Sequence, residues 1–320
     1  ELMPQSTGRD LHIDRLLSNV AIGYMENATI AGTIAPVVTV QKQSDMYAVF
    51  SRADAYRTEE TKRSPGAEAN KITRTISSDT YYAQNYALKY PITIEDRENA
   101  DPVHRQELWN DAANYVSRKL ALDWEVRVAN LVFNTSNVGS SAGVASEWDA
   151  AASSDPIGDI FTAMDNVEDL TGTRPNRMLI GNDAWRSLRR NNQILNRLFG
   201  TNNGGGFPSV GQVANLLDIP KIQVGHVYRN TANEAQAESM AKIWGDMALL
   251  YYAPDRPSRD MPSFMYSFRW ATGGLPNMQA ERHPFDRKTK TEEVEIGYYQ
   301  DEKITGSEYA FILDAVNSST

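Results

Sequence analysis

The chain has 320 residues, with 32 Lys plus Arg against 41 Asp plus Glu, so its formal net charge at pH 7 is −9. Hydrophobic residues make up 41% and charged residues 23%, which is a globular composition with enough length to bury a sizeable core. The absence of any apolar run of about 18 residues, the absence of cysteine and the acidic balance exclude a membrane-spanning segment, thiol or disulfide chemistry, and a general nucleic-acid binder.

The first segment, residues 1–36, is predicted to be an arm that lies on another surface. It opens with polar residues, and Glu1 stands where an initiator Met would, as expected of a cleaved or trimmed chain. Apolar residues after Asp10 allow only short amphipathic turns, and the small residues that follow offer too few large side chains for a separate core.

Residues 37–92 change character and predict an extended loop built on a β-hairpin. Three short runs have the composition of strands: Val37–Val40, Met46–Phe50 and Ile72–Ile76. A polar stretch with Pro65 and Gly66 at its middle separates the last two runs and is typical of a turn. Because the flanking strands are themselves polar, little of this ribbon would be buried in its own subunit. An isolated ribbon is marginal in water, so this one is expected to need a partner.

The next element is predicted to be one long helix over residues 101–134. Asp101 and Pro102 form a typical helix start, and apolar residues then recur at steps of three and four until Asn134. Such a helix would be about 48 Å long. A compact chain of 320 residues is about 50 Å across, so the helix would cross the whole molecule.

A flexible loop over Asn137–Ser154 is predicted to lead into a mixed α/β region. Helices are expected to start at Asp155, at Asn182 or Asp183, and at Ser209, where Gln212 completes a capping box. The second of these helices is predicted to run on through Leu198. Runs of β-type composition or alternation predict strands at Met178–Ile180, Ile222–Tyr228, Lys242–Tyr252, Phe264–Trp270, Val294–Tyr298 and Tyr309–Val316.

No catalytic, cofactor or metal site is predicted. The four histidines are scattered along the chain without ligand spacing. Gly139–Gly143 matches the G-x-S-x-G pattern of serine hydrolases, but no buried strand precedes it and no helix follows, so a flexible loop is the better interpretation. Asp165, Glu168 and Asp169 lie opposite an apolar stripe, which predicts a solvated helix face.

One charge cluster stands apart between Arg174 and Arg197, where six arginines accompany a single acid. Four of them are predicted to fall on one side of a helix: Arg186, Arg189, Arg190 and Arg197. This face is either a contact for phosphate or an acidic neighbour, or a solvated helix surface. The exclusive use of Arg favours bidentate pairing with carboxylate or phosphate.

An arm, a projecting hairpin, one long helix and a mixed α/β domain, in that order, resemble the major capsid proteins of tailed double-stranded DNA phages. Their α+β fold is usually called the Hong Kong 97-type fold. The segments that carry the resemblance are Arg174–Leu188, Gln212–Ile219 with the strand to Tyr228, and Lys242–Pro254. None is a strict motif, so the resemblance depends on their combination and order.

The resemblance implies an N-terminal arm over 1–36, an extended loop over 37–92, a peripheral domain over 93–154 and 261–320 with the spine helix 101–134, and an axial domain over 155–260. It implies that pentamers and hexamers of the chain tile an icosahedral shell that encloses DNA. Scaffold, portal and decoration proteins would be further partners, and no membrane or cofactor is involved. The shell would form in the host cytoplasm and become part of the virion.

Contacts between neighbouring subunits are predicted at the tip of the extended loop, through Glu59, Glu60, Lys62 and Arg63. A weakly buried hairpin is costly to a monomer but useful in a lattice, where it clamps a neighbour. The alternative hypothesis is a bacterial encapsulin-like nanocompartment shell, built on the same fold and enclosing protein cargo.

Overall fold

The computed structural model describes residues 12–13, 30–50, 56–73, 75–100, 105–200, 206–258, 261–271, 278–314 and 316–317. Within them the strands are β1 (His12–Ile13), β2 (Val37–Val40), β3 (Ser44–Phe50), β4 (Ile76–Tyr82), β5 (Gln84–Thr93), β6 (Ser140–Gly143), β7 (Arg177–Gly181), β8 (Lys221–Gly225), β9 (Tyr228–Asn230), β10 (Met240–Lys242), β11 (Ala248–Tyr251), β12 (Met265–Trp270), β13 (Gln279–Asp286), β14 (Thr291–Ile304) and β15 (Ala310–Asp314). The helices are α1 (Ala31–Ile34), α2 (Ile94–Asn99), α3 (Arg105–Val132), α4 (Pro156–Thr171), α5 (Asn182–Leu188), α6 (Asn192–Phe199) and α7 (Val210–Leu217).

The long helix predicted from the apolar spacing is α3. It has 28 residues, which corresponds to about 42 Å. Its buried face carries Trp109, Leu120, Trp124 and Val128 into the largest core cluster. The predicted start at Asp101 lies outside the described residues. No helix in the described part of the chain is long and apolar enough to cross a membrane.

A six-stranded sheet packs against α3, and β14 is its central strand. One edge of β14 pairs with the whole length of β5, and the other edge pairs with β13 and then with β12. The predicted alternation is confirmed, because Val294, Ile296 and Tyr298 are buried between sheet and helix. The strand predicted at Val37–Val40 is also confirmed, and it runs parallel to β12 inside this sheet.

The projecting ribbon consists of β3 and β4, which pair along seven residues each. At its base, Tyr47 and Tyr81 pack on Phe268 of β12, with ring centroids 5.2 and 4.8 Å apart. The predicted strand at Ile72–Ile76 is wrong over its first part, because Ile72 is 73% exposed and irregular and the strand begins only at Ile76.

A second sheet of five strands, in the order β6-β15-β11-β7-β8, forms the other half of the molecule. Its inner strands β7 and β11 are buried along their whole length, as expected for strands covered on both faces. Helices α4, α6 and α7 pack on one another beside it. The Asp155 cap and the Ser209–Gln212 capping box are both present as predicted.

Several local predictions in this half are wrong. The strands predicted over Ile222–Tyr228 and Lys242–Tyr252 are each interrupted, the first into β8 and β9 and the second into β10 and β11. Ser140–Gly143 was predicted as a flexible loop but forms strand β6, because the buried strand β15 supplies a parallel partner for its backbone. The single helix predicted from Asn182 to Leu198 is broken into α5 and α6. Asn191 causes the break: its side chain caps α6 by accepting from the Gln193 N–H at 2.9 Å, and its amide donates to the Trp148 carbonyl at 3.2 Å. The residue at the N-cap of α5 is Gly181.

Candidate assembly surfaces

The distal part of the extended loop, residues 56–73, contributes almost nothing to the core of its own subunit, since every one of these residues is exposed. It is nevertheless shaped by its sequence. Pro65 and Gly66 form the predicted turn, closed by a 3.1 Å bond from the Ala67 N–H to the Ser64 carbonyl, with Gly66 at a φ of +82°. The Asn70 side chain donates to the Glu60 carbonyl at 2.9 Å. The loop therefore presents a defined surface outward.

The four predicted contact residues all lie on this exposed loop, and none of them forms an ion pair with another described residue. The backbone N–H of Lys62 donates to the Glu60 carboxylate at 3.3 Å, which folds the Glu60 side chain back on the chain at the tip. Glu59 and Arg63 are exposed beside them. The tip thus carries both signs of charge, and no charged partner from the rest of the described subunit engages them.

The root of the extended loop is held by Tyr56, whose hydroxyl donates to the Thr171 carbonyl at the end of α4, 2.8 Å away. Gly172 adopts a φ of +67° there, and a Cβ at this position would lie 2.3 Å from the Tyr56 hydroxyl. The glycine therefore serves both the helix end and the close approach of the loop.

The four predicted arginines do not share one helix face, because the chain turns at Arg189–Asn191. Arg186 and Arg190 are exposed side by side, whereas Arg189 is partly buried with its guanidinium 4.8 Å from the centre of the Phe207 ring. Arg197 lies on α6, where its charge acts on Asp155, which α4 uses as its cap. The prediction of one common face is therefore wrong, and only Arg186 and Arg190 remain together.

The other two arginines of the cluster have partners inside the subunit. Arg174 lies 3.8 Å from Glu168. Arg177 is buried and donates to the Thr33 carbonyl at 3.0 Å, so it fastens the end of the arm to β7. Sequence reasoning could not distinguish these roles, since all six positions carry the same residue type.

Arg186 and Arg190 border an open depression that sequence reasoning missed. It is called the arginine depression here, and its main lining residues are Asp183, Arg186, Arg190, Tyr228, Met240 and Lys242. Lys242 donates a hydrogen bond to Asp183, while Arg186 approaches the same carboxylate only to 3.6 Å. The signal in the sequence was the polar stretch between Tyr228 and Met240, which predicts a turn between two strands.

One buried carboxylate connects three parts of the chain. Glu125 of α3 accepts hydrogen bonds from the backbone N–H groups of Ile30 and Ala31 at 3.1 and 3.0 Å, and from the indole of Trp244 at 2.6 Å. Its side chain is fully buried. Burial raises the pKa of Glu125, and the three hydrogen bonds oppose that rise. Removing this group would leave three donors without an acceptor.

No arrangement in the described residues suggests catalysis. Ser141 is exposed on strand β6, and a loop rather than a helix follows it, so the serine-hydrolase elbow is not formed there. Asp165, Glu168 and Asp169 are exposed on α4, which confirms the predicted solvated face. In the described part of the chain, no three His, Asp or Glu side chains converge as metal ligands.

Comparison with known proteins finds similarity to phage capsid proteins. A family model described as phage capsid protein matches residues 77–274, more than half of the chain. A major capsid protein of Burkholderia phage BcepMu is 27% identical over 80% of this chain and 83% of its own length. The fold is similar to that of a phage-related protein from Bordetella bronchiseptica RB50, with a TM-score of 0.76 and 22% identity over 97% of this chain and 99% of that chain. It is also similar to the capsid structure of cyanophage P-SCSP1u, with a TM-score of 0.57 and 13% identity over 89% and 88%.

Proposed function

The chain belongs to the phage capsid protein family, and on that premise we propose that its copies assemble into the icosahedral head shell of a tailed phage and enclose a double-stranded DNA genome. The role is structural. The observation that carries the proposal is the distal part of the extended loop, residues 56–73, in which every residue is exposed and the charged tip residues form no ion pair with another described residue. Such a loop acquires buried surface only when a second copy covers it.

The subunit is proposed to divide as its resemblance to Hong Kong 97-type shells implies. Residues 1–36 would be the arm and 37–92 the extended loop; 93–154 together with 261–320 would be the peripheral domain, and 155–260 the axial domain. Helices α4 to α7 and strands β7, β8 and β11 all lie within 155–260 and support the axial domain, whose sheet is completed by β6 and β15 from the peripheral ranges. Pentamers and hexamers of the subunit would tile the shell, and scaffold, portal and decoration proteins would complete the particle in the host cytoplasm before it becomes a virion.

Neighbouring subunits are proposed to touch through Glu59, Glu60, Lys62 and Arg63. The mixed charge of this tip suits a heterologous contact, in which a patch on one subunit meets a different patch on the next. An ion pair between exposed side chains contributes little to stability in water. A pair formed between two subunits gains strength when the interface excludes water.

The proposed function and its alternative differ in what the shell encloses: a phage head encloses DNA, whereas a nanocompartment encloses protein cargo. Membership of the phage capsid family supports DNA as the enclosed material. The acidic net charge of −9 is also consistent with a wall that surrounds a polyanion and makes only weak contact with it.

The test is to express the chain alone and together with its own scaffold and protease, and to examine the product by sedimentation and electron microscopy. Closed shells of uniform size are expected. A chain that remains a stable monomer in both experiments contradicts the proposal, and particles purified from the phage host with protein cargo in place of DNA would favour the nanocompartment.

A further inference from the structure

The hairpin of β9 and β10 projects beside the arginine depression and ends in a small acidic tip. This hairpin tip comprises residues 231–239, in which all residues but Ala232 are exposed. Glu234 and Glu238 are its only charged side chains, and between them lie Ala235, Gln236 and Ala237. Neither glutamate forms an ion pair with another described residue. The tip therefore offers two carboxylates on a narrow backbone with small side chains around them.

The hairpin tip is held in shape by its own hydrogen bonds. The Asn230 side chain accepts from the Ala232 and Ser239 N–H groups at 3.0 and 2.9 Å. The Thr231 N–H donates to the Ser239 carbonyl at 2.8 Å, and the Thr231 hydroxyl donates to the same carbonyl at 3.0 Å. A segment that is already ordered loses less conformational entropy on binding than a flexible one, so this tip is suited to insertion.

The arginine depression has complementary properties. Tyr228 and Met240 both line it and are 40% and 60% exposed, so the depression carries two apolar side chains that a docked segment would cover. Arg190 has no ion-pair partner among the described residues, and Arg186 has only the long contact to an Asp183 that Lys242 already binds. The depression is open to solvent and has a volume of about 750 Å³, which is within the range of clefts that bind ligands.

We propose that the hairpin tip of one subunit docks in the arginine depression of a second copy of this chain, with Glu234 and Glu238 paired to Arg186 and Arg190. The inference rests on the shell-forming function proposed above and assigns one contact of that assembly. Tip and depression are different surfaces of one subunit, so the contact is heterologous and repeats head to tail around a ring. Alanines would cover the exposed Tyr228 and Met240 while guanidinium groups bind the carboxylates in bidentate geometry.

The same depression is a poor site for a nucleic acid. Asp149, Asp183 and Asp246 also line it, and three carboxylates would repel a phosphate backbone. A phosphate backbone would lay a continuous row of charge across all three, whereas a docked hairpin tip would bring only two carboxylates, each placed at an arginine, and Lys242 already pairs with Asp183. The observations therefore favour a second copy over DNA as the occupant of the arginine depression.

The experiment is a charge exchange in the full chain, produced under the conditions in which the unaltered chain forms shells. Glu234→Lys with Glu238→Lys, and separately Arg186→Glu with Arg190→Glu, are each expected to lower the yield of closed shells about tenfold or more, because like charges then meet. The four substitutions combined restore opposite charges and should recover most of the yield. Shells are counted by electron microscopy and sedimentation, and circular dichroism of each variant verifies its folding.

Three outcomes overturn the inference. In the first, both charge-reversed variants form normal shells. In the second, the variant with both glutamates reversed forms normal shells and only the variant with both arginines reversed fails. In the third, the variant with all four substitutions folds but does not recover the shell yield. The pair Arg186→Lys with Arg190→Lys keeps the charge but loses the bidentate geometry, so its shell yield should lie between that of the unaltered chain and that of the charge-reversed pair. If the unaltered chain itself yields no shell, the proposed function fails, whereas normal shells with no effect of charge exchange refute this contact alone.

Discussion

At the scale of single residues, Glu125 has the largest consequence for the subunit, because this residue of the long helix accepts hydrogen bonds from the end of the arm and from the loop before β11. Glu125→Ala leaves three buried donors unsatisfied and is expected to lower the free energy of unfolding by about 3 kcal/mol. Chemical denaturation of the unassembled subunit measures the loss. Asp111→Ala, at an exposed position of the same helix, is the control and should cost less than about 0.5 kcal/mol.

The raised pKa of Glu125 also predicts a pH dependence. Between its ordinary value of 4.5 and the raised value in the fold, the folded chain holds a proton that the unfolded chain has released. The free energy of unfolding therefore falls as the pH rises through that window, and this contribution is fully present below pH 4.5. Glu125→Gln removes the titration, so the pH profile of the variant should be flatter than that of the natural chain. Parallel profiles would refute this role.

Gly181 is constrained by its neighbours rather than by its φ angle. A Cβ at this position would lie 2.0 Å from the Gly245 carbonyl oxygen and 2.3 Å from that of Trp244, and backbone cannot move as a side chain can. Gly181→Ala is expected to destabilise the subunit by about 3 kcal/mol. Gly211→Ala is the matched control, because nothing lies within 4 Å of its Cβ and Ala favours helix. Thermal unfolding of both variants decides the matter, and equal stability would be contrary to expectation.

At the scale of elements, the extended loop can be altered without touching the core of the subunit. Lys62→Glu with Arg63→Glu should leave the thermal unfolding of the free subunit unchanged and should reduce the number or stability of assembled particles. Lys62→Arg with Arg63→Lys keeps the charge and serves as the control. Normal particles from the charge-reversed pair would show that this tip does not bind a neighbour.

Elements with strong local signals could be predicted from the sequence, and elements made by distant partners could not. The apolar spacing of the long helix and the alternation of Val294, Ile296 and Tyr298 sufficed because burial on one face imposes that period. Ser140–Gly143 has little intrinsic preference for a strand, and only its pairing with β15 makes it one. Val37–Val40 has the composition of a strand, but no local feature reveals that its partner is β12.

The candidate contact surfaces were predictable to different degrees. The exposure of the loop around Lys62 followed from its polar flanks, which cannot support a core. The basic face was only half predictable, because the buried bonds of Asn191 break the helix and separate Arg197 from Arg186. The exposure of Met240 could not be predicted, because an apolar residue that begins a strand is usually buried.

At the scale of the whole molecule, assembly should protect what the free subunit exposes. Residues 56–73, the exposed distal part of the extended loop, contain four sites at which trypsin cleaves: Arg57, Lys62, Arg63 and Lys71. We expect rapid cleavage there in the free subunit, because exposed and irregular backbone fits a protease, and slow cleavage in the shell. Mass spectrometry of timed digests identifies the fragments. Equal rates in both states would mean that the loop remains uncovered after assembly.

The pairing of β5 with β14 has a mechanical consequence. Ten residue pairs join the two antiparallel strands, from Gln84–Gln300 to Thr93–Thr291. Tension that reaches β5 through the extended loop acts along the strand, so it loads this ladder in shear, and the rungs must give way together rather than one after another. β14 passes the load on to β12 and β13 on its other side. A pull on the extended loop is thus shared across the six-stranded sheet.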